Sequence, residues 1–195
     1  MQDSSVNYIN QEDFSRVLAE IPSLKIRKWK DKDIEILFKI MYYSALRPIE
    51  AIRLTKDDID IKNGMIYLHK TKTKTVDNAQ IFYGFSDELE AWLTDKEPGA
   101  LFPGLTYHRV YDWIITLGRR LDLQAWIIPE SKSGEKTKGH IFRKSIGKDM
   151  FHGEYGEESK EVNVIAALMR HSKPSMTIDH YLKIDKEKLK KIWSK

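Results

Sequence analysis

Four short segments concentrate arginine, lysine, histidine and tyrosine. SALRPIEAIRL sets Arg47 three positions before Glu50, and KTKTKT places Lys70, Lys72 and Lys74 at alternate positions. HIFRKS holds His140, Arg143 and Lys144, and LMRHSKPSMTIDHYLK holds His171 and Tyr181. Arginine's planar, permanently charged fork binds two phosphate oxygens at once, so an inventory of this kind suits chemistry on a polyanion. Other chemistries have little to stand on. The chain has no cysteine, which removes disulfides, Cys-based zinc sites and a cysteine nucleophile. It contains no HExxH, no GxSxG, no GxxxxGK[ST] and no GxGxxG opening a helix after a strand.

The elements that must position these groups are legible in the hydrophobic pattern. Asn10 is a candidate N-cap for a short helix, with Asp13 three positions on as an approximate capping box and Pro22 beyond its end. Ile34, Leu37, Phe38, Met41 and Ala45 form one apolar helical face. Pro48 breaks that helix near Leu46 and favours a restart in IEAIRL. The period then shortens. Asn63-Gly64 is a turn signal between two alternating runs, and AQIFYGF reads as a third strand. Residues 58–85 thus read as a three-stranded antiparallel sheet with a cationic tip between its second and third strands. Segments 86–95, 106–121, 140–152, 160–170 and 175–182 read as helical. The fold class is mostly α with a small three-stranded antiparallel sheet near the start (α+β).

The chain has 195 residues, 41% of them hydrophobic, enough for one core. Lys plus Arg number 33 against 29 Asp plus Glu, a net charge of +4 that permits a nucleic-acid partner without establishing one. The charge is unevenly spread. Residues 131–148 hold Lys132, Lys136, Lys138, Arg143, Lys144 and Lys148 against a single acid, Glu135. Such a run is often only a solvated face, and the alternating lysines of KTKTKT also serve to protect an edge strand. Arg109, Arg119 and Arg120 add a third cationic element, and three together favour a polyanion partner. No apolar run approaches the roughly 18 residues of a membrane span. The N-terminus lacks the apolar stretch of a secretory signal, so the expectation is a soluble cytoplasmic protein with no membrane partner.

The order and wording of the four segments resemble the catalytic domain of the tyrosine recombinase/phage integrase family, of the Xer-like, virus- or plasmid-type kind. Ala45, Arg47, Glu50 and Leu54 match that family's A-x-R-x-x-E-hydrophobic-x-x-L box, and His140 and Arg143 match its H-x-x-R box. The family's hairpin lysine falls in KTKTKT. Lys72, eight residues past Gly64, fits best, with Lys70 and Lys74 as alternatives. His171 matches the next family histidine, although Arg170 stands where a glycine more commonly precedes it. Tyr181, ten residues after His171, matches the nucleophile.

The resemblance implies strand transfer on DNA without metal, ATP or other cofactor. Arg47 and Arg143 would clamp the scissile phosphate, with His171 as a further donor. Tyr181 would attack to leave a 3′-phosphotyrosyl bond, His140 would act as base, and Lys72 would give a proton to the departing 5′-oxygen. Glu50 is expected to orient Arg47 or its loop. His108 and Arg109, at a helix start, would face the DNA groove, joined as DNA-binding residues by Lys70, Lys74, Lys132, Lys136, Lys138 and Lys144. The partners implied are double-stranded DNA and other copies of the chain, monomeric alone and tetrameric on paired sites.

The resemblance implies one catalytic domain over residues 1–195. Residues 1–9 would be a linker remnant, 10–183 the core, and 184–195 a tail helix that docks either on its own domain or in trans. The family's N-terminal core-binding domain is expected to be absent. Two rival readings accompany the recombinase: a type IB topoisomerase-like enzyme with the same chemistry but no partner-site exchange, and a non-catalytic DNA-binding module.

Overall fold

Asn10 starts the first helix by accepting the Asp13 N–H on its side-chain oxygen at 2.7 Å, which satisfies one of the donors a helix start leaves open. The Asp13 carboxylate turns to Arg16, so the capping box is half formed. In the computed structural model, which describes residues 8–68, 77–82, 84–123, 141–153 and 160–170, this helix is α1, Gln11–Glu20. Pro22 lies in the 3-10 turn Ile21–Leu24 that follows.

Helix α2 spans Asp31–Tyr43. Its predicted apolar face is buried, but so are Ile36, Ile40 and Tyr42 off that face. α2 is therefore a central helix rather than a surface one with a single dry stripe. Phe14 of α1 stacks on Tyr42 with ring centroids 4.1 Å apart. Phe38 packs 5.2 Å from Phe142 of α6, Ile141–His152, whose ring also meets Phe14 edge-on at 5.7 Å. The Tyr42 hydroxyl donates to the buried Asp149 carboxylate of α6. The Ile9 N–H donates to Ser145 Oγ at 2.9 Å, fastening the start of the described chain to the same helix.

Ala45, at φ +50, turns the chain after α2, and the short helix α3, Pro48–Ala51, begins at once with Pro48 in its first turn. The sheet follows: β1 Ile59–Asp60, β2 Met65–Leu68 and β3 Asp77–Gln80, antiparallel in the order β1-β2-β3. Ile59 pairs with Ile66, and Leu68 with Asp77. Gly64 takes φ +62 in the first hairpin, as an Asn-Gly turn requires. The third strand lies earlier than the AQIFYGF reading. It ends at Gln80, because the Phe82 N–H leaves the sheet to bond the Tyr43 carbonyl at 2.8 Å.

Three helices complete the described fold: α4 Ser86–Thr94, α5 Tyr107–Arg120 and α7 Val162–Leu168. Lys39 of α2 reaches Glu88 of α4, and Asp33 accepts from Trp92 Nε1 at 2.9 Å and from Lys96 just past α4, so charged groups join α2 to α4 and its end. α7 packs on α6. The expected helix at 175–182 and the tail helix lie outside the described residues.

Candidate active site

The turn between α2 and α3 builds the first part of the site. Arg47 is the N-cap residue of α3, in extended conformation, and Glu50 is its third helical residue. Glu50 reaches back to accept the Arg47 N–H at 2.7 Å on one carboxylate oxygen and Arg47 Nη1 at 2.7 Å on the other. A side chain three positions into a helix is suited to this return bond. It leaves Arg47 40% exposed while Glu50 is 14% exposed. A half-open guanidinium held at its root can still meet an anion from solvent.

Arg143 approaches the same turn from α6. Its residue is 3% exposed, and its Nη1 donates to the Ala45 carbonyl at 2.9 Å. The two arginines of the two sequence boxes thus converge on one loop, one as part of it and one bonded to it. Arg170 adds a third guanidinium. Its Nη2 donates to the Glu50 carboxylate at 2.9 Å, and its Nε lies 3.1 Å from Asp77 at the start of β3. Burial alone would raise the Glu50 carboxyl, but the charges of Arg170 and Arg47 and the Arg47 N–H outweigh it and hold Glu50 below its ordinary value.

His108 and Arg109 sit in the exposed first turn of α5, where Thr106 Oγ accepts the Arg109 N–H at 3.3 Å. Beside this turn lies a cleft of about 600 Å³ whose cationic lining is Lys25, Arg27, Lys28, Arg109 and Arg120, with Asp112 as its one acid. Lys25, Arg27 and Lys28 were not among the sequence candidates. The signal is the run KIRKWK at 25–30, whose charges interleave with Ile26 and Trp29.

The basic stretch 131–148 is less uniform than its composition. Lys144 is half-buried in α6, and burial pushes its ammonium below the ordinary lysine value. Lys148 is buried, with its Nζ 3.7 Å from the Tyr8 ring centroid, so that charge belongs to the fold. Lys70, Lys72, Lys74, Lys132, Lys136, Lys138, His140, His171 and Tyr181 lie outside the described residues. No group of three or more metal-ligating side chains occurs among the described residues, and none of their helices is long and apolar enough to cross a membrane.

A helical core carrying a three-stranded sheet, with the A-x-R-x-x-E turn bonded to the arginine of H-x-x-R, defines the catalytic-domain class of the tyrosine recombinases. The chain belongs to the phage integrase family, which it matches over residues 7–188. Among curated proteins it is 24% identical over 190 residues to the tyrosine recombinase XerA of Thermococcus kodakarensis, covering 96% of this chain and 61% of that one. It therefore spans less than two thirds of that relative's length. Its fold is similar to the catalytic domain of bacteriophage HP1 integrase, with a TM-score of 0.61, 20% identity, and 90% of this chain and 86% of the other covered. It is also similar to the XerH site-specific recombinase bound to palindromic difH substrate in a post-cleavage complex. There the TM-score is 0.67 at 18% identity, with 97% of this chain and 54% of the other covered.

Proposed function

We propose that this chain cleaves and rejoins DNA strands in site-specific recombination, through a 3′-phosphotyrosyl intermediate and without metal or ATP. The observation that carries the reading is the convergence of Arg47 and Arg143 on one loop. In-line attack on a phosphodiester builds negative charge on the non-bridging oxygens, and two planar, permanently charged donors stabilise it where other enzymes use a metal ion.

Tyr181 attacks phosphorus, forming the P–O bond of the adduct as the bond to the 5′-oxygen breaks. A phenol has an ordinary pKa near 10 and needs a base to react near neutrality, the role given to His140. Lys72 protonates the departing 5′-oxygen, and His171 adds a donor to the phosphate. Because the covalent link keeps the phosphoester energy, a second 5′-hydroxyl reverses the step and completes exchange. The substrate is double-stranded DNA, gripped at the α5 start and along the cationic cleft, and paired sites are brought together by four copies of the chain. The DNA-bound state of structural neighbours such as XerH supports that partner.

The test is covalent trapping on nicked cognate duplex or supercoiled plasmid, with EDTA and no ATP. An adduct that survives SDS and disappears in Tyr181→Phe is the expected result. An adduct persisting in the variant would reassign the nucleophile. DNA binding without any adduct would favour the non-catalytic module. Plasmid relaxation without exchange between paired sites would favour the topoisomerase-like reading.

A further inference from the structure

We propose that Arg170 is a positioning residue that ties Asp77, the residue that follows the lysine-bearing sequence KTKTKTV, to the Arg47–Glu50 turn. The proposal rests on the strand-cleavage reading above. Three segments distant in sequence meet at this one side chain. Its Nη2 donates to Glu50 at 2.9 Å, 120 positions away. Its Nε makes an ionic contact with Asp77 at 3.1 Å, without the alignment of a hydrogen bond. The Arg170 side chain is 7% exposed, against 36% for Asp77.

The backbone of Arg170 lies at φ +51, a conformation that glycine adopts freely and a branched-off side chain resists. A glycine is the residue the family pattern more commonly has here, so the backbone geometry does not call for arginine. The side chain is what the position gains. It places a buried cation between two carboxylates, one in the turn that carries Arg47 and one at the first residue after the stretch holding Lys70, Lys72 and Lys74. Arg47 and Arg170 then share one carboxylate, and Asp77 balances the second positive charge. Burial favours the neutral form of Arg170, while Glu50 and Asp77 act against it. A guanidinium is suited to such a place, because it stays charged and its separate N–H groups can face two partners.

The consequence concerns the proton given to the leaving group. If Asp77 anchors the base of the lysine stretch, loosening Arg170 impairs delivery of that proton more than it impairs phosphate binding. A 5′-bridging phosphorothiolate substrate separates the two. Its leaving group is a thiolate, whose conjugate acid has a pKa of about 8.5, so the P–S bond breaks without a proton donor. With the ordinary substrate the P–O5′ bond breaks and the oxygen must take a proton.

The experiment measures single-turnover adduct formation on both substrates for the intact chain and for Arg170→Ala, Arg170→Lys, Asp77→Asn and Tyr181→Phe. Arg170→Ala and Asp77→Asn should each slow cleavage of the oxygen substrate by about 10- to 100-fold, no more than the lower end of what a general acid contributes, because the lysine is misplaced and not removed. On the sulfur substrate each should fall within about threefold of wild type. Arg170→Lys, with one compact ammonium for two carboxylates, should lie between.

Equal losses on both substrates in Arg170→Ala and Asp77→Asn would overturn the proposal, as would no loss on either. Should Arg170→Ala fail to fold, Asp77→Asn carries the test, since its side chain is partly exposed. An absence of Tyr181-dependent adduct in the unaltered chain on both substrates would instead overturn the cleavage reading, and the proposal with it.

Discussion

The Tyr42 hydroxyl donates to the Asp149 carboxylate, joining α2 to α6 in the middle of the core. Both residues are buried, at 0% and 5% exposure. The bond matters to the site because α2 runs directly into the Ala45–Arg47 turn and α6 carries Arg143. Tyr42→Phe keeps the ring stack on Phe14 and removes the hydroxyl that donates to Asp149. A charged acceptor deprived of one hydrogen bond costs about 1.5–3 kcal/mol. For a chain of this size the melting temperature should fall by about 3–12 °C. Thermal unfolding followed by circular dichroism measures it, and an unchanged midpoint would show that this bond does not hold the two helices together.

On the proposed function, Arg143 tests whether charge alone suffices at the phosphate. It donates to the Ala45 carbonyl from a buried position, which sets its guanidinium against the Arg47 turn. Arg143→Lys keeps the positive charge but loses the rigid fork that serves a carbonyl and an anion together. Adduct formation should drop by about 100- to 1,000-fold, the range seen when one donor to a developing oxyanion is removed. DNA affinity, measured by fluorescence anisotropy, should change by less than about threefold. Near-normal cleavage in this variant would remove Arg143 from the phosphate clamp.

How far the site could be read from sequence depended on distance along the chain. The Asn10 cap, the Asn63-Gly64 turn and the Arg47–Glu50 pair involve residues within a few positions, and spacing reveals such pairs. Bonds that close only in three dimensions were invisible. Nothing local in LMRHS indicates that Arg170 meets Glu50 and Asp77, and nothing in HIFRKS indicates that Arg143 bonds Ala45. Periodicity marks one apolar face on α2, whereas Ile36 and Ile40 off that face are buried as well. The AQIFYGF pattern places the third strand too late because the hydrophobic Ile81 and Phe82, which pack against the core, lie just past its end at Gln80. A count of charges does not show that Lys148 is buried, with its ammonium over the Tyr8 ring.

Glu50 gives the site a signature in acid. Its carboxyl is held below its ordinary value of 4.5 by Arg170 and Arg47 against the opposing effect of burial. A carboxyl depressed in the folded state contributes stability that is fully present above its unfolded value and is lost as pH falls through the folded one. The unaltered chain should therefore lose stability as pH drops below about 4.5, over and above its general acid unfolding. Glu50→Gln cannot ionise, so this component should vanish. At neutral pH the variant should be less stable by about 2 kcal/mol, because two guanidinium groups lose their charged acceptor. Urea unfolding at a series of pH values gives both numbers. Parallel stability-against-pH curves for the two proteins would mean that Glu50 is not held by its arginines.

The cleft between residues 24–29 and α5 yields a prediction separable from catalysis. Five cations and one acid line it, and none of Arg47, Glu50 or Arg143 does. If the cleft meets the DNA backbone, its charge acts through phosphate contacts, and each such contact releases condensed counterions. Arg27→Ala and Lys28→Ala should each weaken DNA binding about equally across sequences and lower the slope of log affinity against log salt by about 1. The double variant should lower it by about 2 if each side chain meets its own phosphate. At saturating DNA the single-turnover rate of adduct formation should remain within about twofold of wild type, because the proposed clamp residues Arg47 and Arg143 lie outside the cleft. Anisotropy titrations between about 50 and 200 mM salt measure the slope. A slope unchanged by either substitution would place the DNA away from this cleft and leave its lysines and arginines as solvated surface.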